Sequence, residues 1–126
     1  MSLLLGRKFL VVDDDNFMRE VVNEIFTNYG ATVTEAENGV EAFLLVKKTD
    51  YDVVFTDMRM PGGDGIALAK NISELSGKKP MVFVCSGFND VAIEKIKELN
   101  IQKVYEKPFD YALIVKEISD LLSNIG

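Results

Sequence analysis

Four segments of this chain with strand character stop on residues that can do chemistry. Phe9-Leu10-Val11-Val12 stops on Asp13-Asp14-Asp15, and Val53-Val54-Phe55 leads through Thr56 to Asp57. Met81 to Cys85 stops on Ser86-Gly87, and the segment Lys103 to Glu106 stops on Lys107-Pro108. Carboxylates held close together repel, by about 4 kcal/mol for two unit charges roughly 4 Å apart at an effective dielectric near ~20. A hard divalent cation, Mg²⁺ or Mn²⁺, offsets that repulsion, because it takes oxygen ligands in octahedral geometry and keeps several waters. Three aspartates, one such ion and the Lys107 ammonium together are neutral. A site of that kind can accept a phosphoryl group on one carboxylate oxygen, with the cation and the lysine balancing charge on the equatorial oxygens and the serine hydroxyl donating to one of them. Each residue also has a plainer role open to it: Asp57 as a turn residue or cap, Asp14 or Asp15 as the cap of the next helix, Ser86 in a turn, Lys107 in solvent. The chemical reading requires that all four strand ends meet.

The elements that would bring them together follow from the hydrophobic pattern. FLVV, VVF and MVFVC are continuous apolar runs, as expected of strands buried on both faces. Thr32–Ala36 and the stretch Lys103–Glu106 complete five strands. Between them lie helical spacings. Asn16 to Tyr29 carries Phe17, Val21 and Ile25 beside Met18, Val22 and Phe26, with Gly30 as a stop, and a second helix after Asn38-Gly39 carries Val40, Phe43 and Val46. A third runs from about Gly65 to Leu75, a fourth starts at Asp90 and carries Ala92, Ile96 and Leu99, and a last one begins at Phe109-Asp110 and carries Ile114, Ile118, Leu121 and Leu122. Strands alternating with helices predict an α/β fold, a three-layer doubly wound (βα)5 domain with a five-stranded parallel sheet and right-handed crossovers. A parallel sheet delivers all its carboxyl ends to one edge, where ligands collect in such folds.

Composition narrows the chemistry. The chain contains no histidine, which excludes zinc sites built on imidazole and any Ser-His-Asp or Cys-His mechanism. Fourteen basic against twenty acidic side chains give a net charge of −6, which argues against direct nucleic-acid binding. The single cysteine, Cys85, sits in an apolar run and reads as a buried thiol, so no disulfide framework forms within the chain. At 126 residues a single domain spans 1–126, with residues 1–6 expected to lie outside its ordered part. Leu3-Leu4-Leu5 is too short to span a membrane and lacks the marks of a signal peptide, so a cytoplasmic protein is expected.

The motifs FLVVDDD, DMRMPGGDG, VCSG and EKPF, spread over about Lys8 to Ser123, resemble the response-regulator receiver domains of two-component signalling. The resemblance implies the flavodoxin-like strand order 2-1-3-4-5, for which the chemotaxis member of this family is a standard example. It implies that Asp57 is the phosphoacceptor, that Asp14, Asp57 and the backbone carbonyl of Arg59 bind Mg²⁺ (or Mn²⁺), and that Asp13 holds a metal-bound water. Ser86, Gly87 and Lys107 would bind the phosphoryl group, and the Lys107-Pro108 bond would be cis. The implied partners are a histidine kinase or phosphotransfer domain and an output domain or partner protein engaging the region 90–123. Homodimer formation is left open. The resemblance implies phosphoryl acceptance and slow loss, not enzymatic turnover. One position departs from the family: the aromatic usually found three residues before the lysine is Val104 here, with Tyr105 next to it. Neighbours on a strand face opposite ways, so Tyr105 cannot take over that role. Val104, Tyr105 and Phe88 are therefore the switch-region candidates, and the states are expected to differ mainly around 86–89. The bulk of Phe88 and Arg59 is expected to lengthen the phosphoryl lifetime.

Three rival readings are distinguishable. An FMN binder of the same fold needs a phosphate loop where Asp13-Asp14-Asp15 would repel it. A small aspartyl-phosphate phosphatase of the haloacid dehalogenase type finds its acid-x-acid pair in Asp13 and Asp15, but Phe17 stands where Thr or Val is expected. The third is a receiver-like binding domain that no longer signals by phosphorylation.

Overall fold

Burial along the strands explains their order. In the computed structural model, which describes residues 2–58, 60, 64–86, 98–106 and 109–124, five parallel strands form one sheet ordered β2-β1-β3-β4-β5. They are β1 (Lys8–Val12), β2 (Thr32–Ala36), β3 (Val53–Asp57), β4 (Met81–Ser86) and β5 (Ile101–Glu106). The three strands with continuous apolar runs, β1, β3 and β4, occupy the interior and are buried over most of their length. β2 and β5 carry polar residues and lie at the edges, where one face can meet water. β5 starts at Ile101, two residues before the expected Lys103, because Ile101 pairs with Val82 ahead of a register shift.

Alternation along the strands creates two apolar layers. Phe9, Val11, Val53, Phe55, Phe83, Cys85 and Tyr105 face helix α1 (Asn16–Asn28) and the C-terminal helix α4 (Tyr111–Asn124), meeting Val22, Phe26, Ile114, Ile118 and Leu122. Leu10, Val12, Val54, Val82 and Val84 face helices α2 (Gly39–Lys48) and α3 (Gly65–Ser73), meeting Ala42, Val46, Leu68 and Ile72. The expected helix after Asp90 falls on 90–97, outside the described residues.

Local chemistry sets the helix starts. Asp15, not Asp14, caps α1, its carboxylate accepting from the amides of Phe17 and Met18. Asn38 caps α2 and Asp64 caps α3 through the amides of Glu41 and Ala67. Phe17 and Val40 read as inward-facing from their spacing but are 71% and 61% exposed. Each lies off the buried residues of its helix, which are Arg19, Val22 and Phe26 in α1 and Gly39, Ala42 and Val46 in α2. Residues 2–6, expected outside the ordered domain, form a turn against it. Leu4 is fully buried and its amide donates to the carbonyl of Tyr29. Among the described residues no helix is long and apolar enough to cross a membrane.

Candidate functional site

The register of the inner strands places the acids side by side. Val12 lies opposite Thr56, so the next residues, Asp13 and Asp57, leave adjacent strands at the same edge. One carboxylate oxygen from each of Asp13, Asp14 and Asp57 can be chosen so that all lie within 4.8 Å of one another. At that separation each pair of unit charges repels by about 3.5 kcal/mol at an effective dielectric near ~20. Asp13 and Asp57 are half-buried and Asp14 is exposed, so the cluster opens to solvent on one side. The donor set consists of hard carboxylate oxygens with no imidazole, which fits Mg²⁺ or Mn²⁺ and not a softer ion.

Hydrogen bonds orient the acids. An oxygen of Asp57 accepts the Met58 amide at 2.9 Å, an amide that also donates to the Cys85 carbonyl at 2.9 Å. An oxygen of Asp13 accepts the amide of Asp15 at 2.9 Å and curls the loop between β1 and α1. Arg19 braces that loop from beneath. Its Nη1 donates to the Asp13 carbonyl at 2.7 Å, its Nη2 to Asn16 Oδ1 at 2.6 Å and its Nε to Glu35 Oε1 at 2.8 Å. Glu35 also accepts from Asn23 Nδ2 at 2.7 Å. That bond and the Arg19 guanidinium hold the Glu35 carboxyl below its usual range against a partial desolvation.

Gly65 sets the other wall. A Cβ there would overlap the carbonyl oxygen of Asp57, and the Gly65 amide donates to the Met58 carbonyl at 2.8 Å. Only a glycine lets the start of α3 come this close to the end of β3.

Ser86 ends β4 one residue beyond Cys85, the register partner of Asp57, and is 1% exposed. Three strand ends therefore share one edge. Arg59, Gly87, Phe88, Lys107 and Pro108 lie outside the described residues, so the fourth strand end and the cis bond are not part of this geometry.

The two neighbouring switch candidates part company. Val104 packs on the α2/α3 layer, whereas Tyr105 is buried in the opposite one, its ring stacked on Phe83 with centroids 6.3 Å apart. The Tyr105 hydroxyl donates to Glu117 Oε1 at 2.9 Å on α4, and Lys103 Nζ reaches Glu117 Oε2 at 2.8 Å. Burial and then Glu117 push the Tyr105 phenol up, so it stays a proton donor.

Arg19 and Gly65 shape the site without standing out in the hydrophobic pattern, and Tyr111 lines a cavity together with Asp13 and Asp57. Arg19 carried a signal: it shares the buried stripe of α1 with Val22 and Phe26, and an arginine on such a stripe needs acceptors. Tyr111 gave none, since an aromatic at the start of an amphipathic helix reads as core.

The response regulator receiver domain family matches residues 9–119. Sporulation initiation phosphotransferase F of Bacillus subtilis is 33% identical over 125 residues, covering 96% of this chain and 100% of that protein. Among solved structures, the Francisella response regulator 1452 receiver domain superposes with a TM-score of 0.82 at 28% identity, covering 96% of this chain and 100% of that one. The receiver domain of sensor histidine kinase PA1611 from Pseudomonas aeruginosa, with a magnesium ion coordinated in its active site cleft, shares the fold at a TM-score of 0.81 and 21% identity, over 94% of this chain and 98% of that one.

Proposed function

Because the chain belongs to the response regulator receiver family, we propose that it is a phosphoacceptor, phosphorylated on Asp57 by a histidine kinase or phosphotransfer domain in a Mg²⁺-dependent step. The observation that carries this reading is the convergence of the Asp13, Asp14 and Asp57 carboxylates within 4.8 Å at the carboxyl edge of the sheet. Asp14, Asp57 and the Arg59 carbonyl would hold the cation, and Asp13 would reach it through a water. The magnesium ion in the cleft of the Pseudomonas receiver domain supports that choice of metal. Bound there, the cation supplies the positive charge that the acids and the phosphoryl oxygens require.

An Asp57 oxygen attacks the phosphorus of a phosphohistidine. The new O–P bond forms as the P–N bond breaks, and the electron pair stays on the imidazole nitrogen of the donor. The Met58 amide, shared with the Cys85 carbonyl, donates to one oxygen of the attacking carboxylate. Ser86, Gly87 and Lys107 receive the phosphoryl oxygens. Each chain is modified once and the acyl phosphate is then slowly hydrolysed, so the domain works as a switch, with region 90–123 as the surface that meets an output domain or partner.

Intact-mass measurement after incubation with acetyl phosphate and Mg²⁺ tests the reading. The wild type gains one phosphoryl group, Asp57→Asn gains none, and EDTA abolishes the gain. An Asp57→Asn variant that gains the same acid-labile group refutes the assignment. Sustained turnover of p-nitrophenyl phosphate would instead identify a phosphatase.

A further inference from the structure

Tyr111 opens α4 with a hydroxyl that is buried and has no hydrogen-bond partner among the described residues. Native interiors rarely leave such a group unpaired, because it has given up its water without compensation. Its surroundings are not uniformly apolar. Tyr111 shares with Asp13, Asp57 and Cys85 the lining of a cavity of about 20 Å³. A polar cavity of roughly 10–15 Å³ or more holds one water if two or more polar groups face it. The ring packs edge-on against Phe109, with centroids 5.5 Å apart. Burial, then Cys85 and Asp13, push the phenol up to about 12, which keeps it a donor wherever the acids are charged.

We propose that Tyr111 is a positioning residue of the acidic site: its hydroxyl donates to a single water in this cavity, and that water donates to the Asp13 and Asp57 carboxylates from below. The inference rests on the reading of the acids as a cation site. Groups that hydrogen-bond a metal's carboxylate ligands fix their orientation, and their loss weakens metal binding by about 10–100-fold. A ligand already held by other bonds belongs at the low end of that range. Both acids here accept backbone amides, Asp13 from Asp15 and Asp57 from Met58.

Tyr111→Phe removes the hydroxyl and keeps the ring. Calorimetric titration with Mg²⁺ should show a Kd raised by about tenfold, while the metal-free variant melts no lower than the wild type. A residue that only fills the core would leave the Kd unchanged, and that result overturns the proposal. A high-resolution crystal structure of the metal-free wild type separates this outcome from failure of the cation reading. A water within hydrogen-bonding distance of Tyr111 Oη and of Asp13 or Asp57 sustains the bridge even if the wild type takes no Mg²⁺. A cavity without that water overturns it.

Discussion

Removing the Arg19 fork tests whether the acidic loop is held in place by the core or by this one side chain. Arg19→Met keeps most of the buried aliphatic length and deletes three donors, at 2.6 to 2.8 Å from their acceptors. The three bonds are not equal. Asn16 is exposed, so water replaces that bond at little cost. The Glu35 side chain is 30% exposed and keeps its bond from Asn23, which discounts the ion pair toward the value of a surface one. The Asp13 carbonyl loses a charge-assisted bond inside the loop. With hydrogen bonds to charged groups at about 1.5–3 kcal/mol each, and only two of the three counting, one of them discounted, the loss is about 2–4 kcal/mol. For a chain of this size roughly 3–5 °C of Tm accompanies each kcal/mol, so thermal unfolding should fall by roughly 10 °C. The loop that carries Asp13 and Asp14 loosens at the same time, and Mg²⁺ affinity measured by calorimetry should drop by about tenfold. Arg19→Lys retains the charge but not the fork, and should recover part of the stability and little of the affinity. A lowered Tm with unchanged Mg²⁺ affinity would refute the claim that Arg19 positions the acids, and a Tm within about 2 °C of the wild type would refute the energetic argument as well.

Gly65→Ala forces a Cβ into the Asp57 carbonyl, so α3 or the end of β3 must move. Chemical denaturation should show a loss of about 1–3 kcal/mol, and phosphorylation by acetyl phosphate should slow. Tyr105→Phe deletes the bond to Glu117 in a site that otherwise accepts the ring, and should cost about 1 kcal/mol at neutral pH. The Lys103 bond first and the Tyr105 bond second hold the Glu117 carboxyl below its usual value. A depressed folded-state value contributes stability above the unfolded-state value of roughly 4.5, and that stability is lost as pH falls through the folded one. The stability gap between wild type and Tyr105→Phe should therefore be full at neutral pH and close in acid. A gap that widens on acidification would overturn the assignment of Glu117 as the acceptor.

The readable features of this chain are the ones decided by short stretches. Continuous apolar runs at β1, β3 and β4 identify inner strands because burial on both faces leaves no polar position. The acids after β1 and β3 stand out because they end such runs. Alternation along β5 separates Val104 from Tyr105, and the structure puts them in opposite layers. Helix faces were less legible. The spacing of Phe17 with Val21 and Ile25 is as helical as that of Met18 with Val22 and Phe26, yet Val22 and Phe26 are buried in the core around Phe9 and Phe55, whereas Ile25 only packs against its margin and Phe17 is exposed.

The sequence by itself determined that five strands and their helices build a parallel sheet, and that acids and a serine stand at strand ends. Each of those facts depends on residues a few positions apart, whose periodicity or chemistry needs no partner to be read. Only the tertiary structure decided that Asp13, Asp14 and Asp57 come within 4.8 Å, because that distance is set by the register of β1 against β3. The same holds for Arg19 beneath the Asp13 loop, for the space that only Gly65 fits, and for the buried hydroxyl of Tyr111. Arg19 meets Glu35 across 16 positions of sequence, and Tyr111 shares a cavity with Asp13 although the two lie near opposite ends of the sequence. Contacts of that kind depend on how whole layers pack, and no local pattern encodes them.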